Sequence, residues 1–246
     1  MLYIVEYWEC DTMQAKDLET IMKGVLKPGE PFKFRCLQCG KCCRNREDIL
    51  LNPYDLHRIA KELQMTPDEV VEKYCLTYIG DSSRFPCVLL KPKGDRKICP
   101  LLKKGKCMVH KNKPTVCALF PLGRGIGWDT DNRDNPTETG GVYYFLQPTR
   151  CGARDEQHTA EEWLGEFNLQ DSEAWFIDWS KSLTEMSILL RKAEKRVPQD
   201  LMDRIYNGVF VQMYLEYDMT QDFMPQFQRN KETSMLALKA VVGKGK

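Results

Sequence analysis

Four cysteines, Cys36, Cys39, Cys42 and Cys43, carry the most telling spacing in this sequence. The first three stand as C-x2-C-x2-C and the fourth follows at once. Two residues between cysteines let a tight loop aim both sulfurs at one ion, and the same spacing holds iron–sulfur clusters in bacterial ferredoxins. Gly40, inside the run, allows the turn. Adjacent side chains of an extended chain point in opposite directions, so Cys42 and Cys43 are not expected to share one ion. They would serve two metals or two irons of one cluster, or one of them would be structural. The site predicted is therefore larger than a single four-cysteine zinc. Cys99, Cys107 and Cys117 form a second group, separated by seven and nine residues. These are not the short pairs of a zinc ribbon. They suit loops that return separately to a shared centre, which Cys151 would close.

The rest of the composition narrows the chemistry. Eleven of the 246 residues are cysteine, nine of them between Cys36 and Cys117. The opening MLYIVEYWEC has no basic n-region and its apolar run is broken by Glu6 and Glu9, so no signal peptide is expected. No apolar stretch approaches the roughly 20 residues of a membrane helix. The expected setting is cytoplasmic, where thiols stay reduced and structural disulfides are disfavoured. The odd cysteine count also argues against full pairing. A metal site is what remains, with zinc, iron or an iron–sulfur cluster as the candidates, because thiolates suit all three. Cys10 and Cys75 stand alone and read as small buried hydrophobes; Cys87 is open. His110 reads as a packing or hydrogen-bonding residue rather than a ligand, and His57 and His158 have no ligand partner at a telling spacing.

Charge is uneven along the chain. Residues 33–113 hold 18 Lys or Arg against 9 Asp or Glu, while the whole chain carries a formal +1. A basic, cysteine-rich module can contact nucleic acid. Four thiolates on a divalent ion leave a net −2, however, and Arg35, Lys41, Arg44 and Arg46 would offset it and favour thiolate formation. Compensation is the preferred reading, since the run lacks the aromatic interleaving of a single-strand binder.

The elements that must position these residues are mostly helical. A strand is expected over 1–9, then a helix from Asp11 or Thr12 to about Leu26, stopped by Pro28 and Gly29. Asn52 caps a helix with Pro53 in its first turn. Thr66 to Glu69 is a capping box for a second helix, ending near Tyr74, and Thr159 with Glu162 is another. Residues 80–125, with Pro86, Pro92, Gly94, Pro100, Gly105, Pro114 and Pro121 scattered among them, read as loop that buries little apolar surface and needs metal for its order. The glycine-rich 123–127 reads as a flexible loop near the site, 129–141 as turn, and Val142 to Leu146 as a strand. Apolar stripes through Trp175, Trp179 and Leu183, through Leu201, Ile205 and Val209, and from about Pro225 to Val242 mark three C-terminal helices. The expected fold is α+β and mostly helical: an N-terminal strand and helix over 1–31, an irregular cysteine-cluster metal-binding core with few short strands over 32–158, and a helical subdomain over 159–246.

The run Cys36-Leu-Gln-Cys39-Gly40-Lys-Cys42-Cys43 resembles the signature of the YkgJ-type CxxCxxCC cysteine-cluster family, described as a zinc- or iron-chelating domain. The family's second block is similar to Cys99-Pro100, Cys107 to His110, Lys113-Pro114 through Cys117, and Phe120-Pro121, and its later cysteine resembles Cys151. The resemblance spans about residues 32–165, and Cys10, Cys75 and Cys87 have no firm place in it. It implies metal binding by Cys36, Cys39, Cys42, Cys43, Cys99, Cys107, Cys117 and Cys151, and no settled reaction. A related group, the flagellin lysine N-methylases, implies that some members are enzymes on protein side chains. Three readings follow: a metal-binding protein, an iron–sulfur enzyme modifying a protein or peptide side chain, and a zinc module for nucleic acid or protein. The first leads.

Overall fold

The computed structural model describes residues 2–3, 24–129 and 137–243. The chain runs β1 (Leu2–Tyr3), β2 (Phe32–Arg35), a 3-10 turn (Lys41–Cys43), β3 (Leu50–Leu51), α1 (Pro53–Leu63), α2 (Pro67–Tyr74), β4 (Cys75–Ile79) and β5 (Pro86–Leu90). It continues with β6 (Leu102–Lys103), β7 (Lys106–Cys107), α3 (Thr115–Leu119), β8 (Leu122–Asp129), β9 (Thr137–Leu146) and β10 (Ala153–His158). Helices α4 (Ala160–Gly165), α5 (Ser172–Glu194), α6 (Gln199–Phe210) and α7 (Phe223–Gly243) follow, with a π turn at Val211–Leu215 extending α6. The architecture is α+β, with small antiparallel sheets ordered β1-β8-β9, β10-β2, β3-β5-β4 and β6-β7.

The helix starts follow their caps. The Asn52 side chain accepts the Asp55 N–H, satisfying one of the donors that a helix leaves unpaired at its first turn. Thr66 with Glu69 and Thr159 with Glu162 form the two expected capping boxes. The expected helix from Asp11 or Thr12 lies largely outside the described residues, as do most of the 1–9 strand and Cys10. Its described end is extended instead: Val25 bridges Phe145, and the Leu26 N–H donates to the Tyr144 carbonyl.

Two expectations for the middle of the chain are corrected. Residues 80–125 are not a bare loop. Phe85, Val88, Leu90, Leu101, Val109, Ala118, Leu119 and Leu122 are all buried there. The prolines punctuate rather than exclude strands; Pro86 stands first in β5, where a strand tolerates a missing donor. The glycine-rich 123–127 is part of β8, paired with β9; of the expected turn over 129–141, Asp129 ends β8 and 137–141 belong to β9, and 130–136 lie outside the described residues. Within β8 Arg124 is 1% exposed, its guanidinium 4.0 Å over the Phe176 ring and donating to Ser172 Oγ.

One main core joins the two halves of the chain. It contains Ile49, Leu56, Ile59, Phe85 and Leu101 from before residue 158 and Trp175, Trp179, Met186, Met213 and Phe227 from after it. Trp175 and Trp179 stack, and both meet Phe227 edge-on. Burial of each such side chain contributes on the order of 2–3 kcal/mol, and here each half supplies the other's burial surface. A second cluster, Phe32, Phe34, Ala118, Leu119, Leu122, Trp163, Leu164, Phe167 and Leu169, lies against Cys36.

Candidate metal centre

Three chain segments deliver the cysteines. The first leaves β2 at Arg35 and passes Gly40, whose φ is +68°. A Cβ there would come within 3.0 Å of the Gly105 carbonyl oxygen, so both conformation and space require glycine. Beyond it the chain turns as a 3-10 helix, with the Cys43 N–H donating to the Gly40 carbonyl. The turn overrides the expectation that Cys42 and Cys43 diverge. That expectation assumed an extended chain; in the 3-10 turn the two sulfurs lie 4.0 Å apart.

The second segment is docked on the first by its backbone, the Cys99 N–H donating to the Cys43 carbonyl at 2.9 Å. Cys107 lies in the β6-β7 hairpin opposite Leu102. Cys117 rides on α3, a helix of five residues, too short to stand on its own hydrogen bonds. Buried side chains hold it at both ends. Asp55 Oδ1, from α1, accepts the Thr115 N–H at 2.8 Å and its hydroxyl at 2.6 Å. Trp163 Nε1, from α4, donates to the Ala118 carbonyl at 2.9 Å and the Leu119 carbonyl at 3.2 Å.

The third segment brings Cys151. The strand that precedes Cys36, β2, pairs with the strand that follows Cys151, β10. Gly152, at φ +76°, lets the chain pass: a Cβ there would sit 2.3 Å from the Phe34 ring and 2.8 Å from the Arg35 carbonyl oxygen. Cys39 and Cys151 meet with their sulfurs 3.9 Å apart.

Cys36, Cys39, Cys42, Cys43, Cys99, Cys107, Cys117 and Cys151 line one cavity of about 50 Å³, together with His110 and Lys113. Cys39 and Cys42 are exposed at its mouth and the other six are half-buried. Among the described residues two cysteines lie elsewhere. Cys75 is buried in β4, and Cys87, in β5, donates to the Phe85 carbonyl beside a separate cavity. His110 packs edge-on against Phe167.

The donors can be tested against a metal. Thiolates are the ligands that zinc and iron–sulfur clusters share. With zinc–sulfur bonds of 2.3 Å, two ligands of a tetrahedral ion stand about 3.8 Å apart. The 3.9 Å and 4.0 Å pairs fit that edge. The match stops at pairs: among the described residues, no group of three or more Cys, His, Asp or Glu stands converged on one point.

Contact with one another and burial favour the protonated form of several of these thiols. The Cys42 thiol is pushed far up by its contact with Cys43, then by burial. For Cys43 the contact with Cys42 pulls down, but the contact with Cys99 and burial outweigh it and raise the thiol to about 12. Burial pushes Cys117 and Cys107 up. The expected compensators only partly serve. Arg35 is paired with Asp155 and Glu156, and Lys41 and Arg44 are exposed. Arg46, paired with Asp48, still favours the thiolates of Cys42 and Cys117. Two residues of the site escaped the sequence reading. Lys113 enters the sequence reading only as one of eighteen cations and as part of the resembling second block, yet it is 8% exposed. Asp55 sits in the first turn of α1, where nothing in the sequence signals its reach across to α3.

Comparison with known proteins agrees with this geometry. Residues 35–139, under half of the chain, match a family model described as "CxxCxxCC: Putative zinc- or iron-chelating domain". The uncharacterized protein MJ0661 of Methanocaldococcus jannaschii is 29% identical over 116 residues, covering 42% of this chain. The match spans 58% of that relative's length. No solved structure matches the chain. Among the described residues no helix is long and apolar enough to cross a membrane. Over residues 35–139 the chain is thus similar to the CxxCxxCC family, the one described as zinc- or iron-chelating.

Proposed function

We propose that the protein is a metal-binding protein that holds zinc or iron through Cys36, Cys39, Cys42, Cys43, Cys99, Cys107, Cys117 and Cys151. The observation that carries this reading is that eight cysteines from three distant segments line a single cavity. Eight sulfurs exceed the four of one tetrahedral shell, so the reading includes more than one metal atom, as two ions or as an iron–sulfur cluster. It supposes a reducing, cytoplasmic setting, where the thiols stay available. The test is metal analysis of anaerobically purified protein, with absorbance and electron paramagnetic resonance to separate colourless zinc from a cluster. More than one equivalent of metal per chain is expected, and Cys39→Ser should lower it. A chain that takes up neither zinc nor iron, or a Cys39→Ser variant with unchanged stoichiometry, refutes the proposal.

A further inference from the structure

Lys113 stands where a metal–thiolate assembly would need a positive charge. It is 8% exposed and immediately precedes Pro114, at the entry to the helix that carries Cys117. Its stem lies between rings, with Nζ 3.8 Å from the Phe167 centroid and 6.0 Å from that of Trp163. Among the described residues it pairs with no carboxylate. Burial pulls the Lys113 ammonium down, and the charges that work against that pull are those of Cys36, Cys117, Cys42 and Cys107 as thiolates, four of the sulfurs lining the cavity. A buried ammonium without a counter-ion is costly. So is a buried tetrathiolate of a divalent ion, which carries a net −2. Each offsets the other's cost, and no other cation lining that cavity is buried.

We propose that the Lys113 ammonium is the built-in counter-charge of the metal centre, a positioning residue that strengthens metal binding by its charge and ligates nothing itself. The inference rests on the metal-binding reading above. The competing role is purely structural, the stem packing on Phe167 and Trp163.

Lys113→Met keeps the stem and its ring contacts but deletes the charge; Lys113→Arg keeps the charge. Apparent zinc affinity is measured at fixed pH by competition with a chromophoric chelator, on reduced full-length protein. Loss of groups that support metal ligands from outside the ligand shell commonly weakens binding 10–100-fold. A loss of about that size is expected for Lys113→Met, and a change within about threefold for Lys113→Arg. Melting of the metal-free proteins reports the packing role separately. Unchanged affinity in Lys113→Met overturns the proposal even if that variant melts lower, and so does an equal loss in both variants. Lys113→Gln, neutral and polar, repeats the comparison if Lys113→Met does not fold. Wild-type protein that binds no zinc or iron overturns the metal reading itself, and that arm is read before any variant is compared.

Discussion

Asp55 ties the scaffold to the candidate centre, and its replacement gives a prediction that can be worked through. Its Oδ1 holds the first turn of α3 through the Thr115 N–H and hydroxyl. Asp55 and Thr115 are each 1% exposed. In Asp55→Ala the Thr115 N–H is left buried without a partner, which costs about 1–3 kcal/mol. The hydroxyl can rotate and loses about 1 kcal/mol. Burial already pushes the Asp55 carboxyl up, against the pull of Thr115, so deleting it recovers part of the loss. The net expectation is about 2–3 kcal/mol of destabilisation. Asp55→Asn keeps an acceptor oxygen and removes the charge, so it should lie within about 1 kcal/mol of wild type. Urea unfolding of the metal-free proteins measures both. Metal affinity should follow the same order, because α3 carries Cys117. If Asp55→Ala loses under about 0.5 kcal/mol, or if Asp55→Asn is as damaging, Asp55 is not the acceptor that fixes α3.

His57 predicts acid sensitivity. It packs against Tyr217 and Phe223 with Nε2 unpartnered among the described residues, and burial, then Lys61, hold it down at about 4. Above pH 6.5 both folded and unfolded chains carry it neutral. As pH falls from 6.5 to 4 the unfolded chain takes the proton first, so about 3 kcal/mol of stability should be lost before the curve levels. His57→Phe should lack that component in urea titrations at pH 7 and 4.5; parallel losses in both proteins would dismiss it. Gly152→Ala should destabilise by more than about 1 kcal/mol in thermal melts, since its Cβ meets the Arg35 backbone, and a neutral result would mean that β2 and β10 are not held at that spacing. Truncation after His158 removes Trp175, Trp179 and Phe227 from the main core and should give aggregated protein. A soluble, monomeric, fully metallated fragment would show the helices to be a separate module.

The parts of the fold set by local chemistry were legible in the sequence. Asn52, Thr66 and Thr159 each start a helix because a side-chain oxygen and a short run of backbone donors suffice to do it. The eight cysteines were legible by spacing and by resemblance, and they do share a cavity. What escaped depends on tertiary partners. In the pair β8 and β9 only Val142 to Leu146 read as strand; the rest has glycine and polar residues where alternation would signal strands, and the pairing supplies the regularity. The prolines of 80–125 suggested loop, yet Val88, Leu101 and Val109 are buried in a core to which helices later in the chain contribute. Lys113 was one cation among eighteen until tertiary packing closed over it.

The pairing of β2 with β10 has a consequence for how the protein is made. Cys39 and Cys151 are 112 residues apart. At ordinary elongation rates of about 5–20 residues per second, the ribosome needs on the order of ten seconds to cover that interval. Throughout it the CxxCxxCC run is outside or leaving the exit tunnel, while the strand that will pin it has not been synthesised. Contacts so distant in sequence also form slowly. The nascent chain therefore presents a partial set of thiols, open to any metal or oxidant present, and the last sulfur and its clamping strand arrive together as the step that completes the cavity.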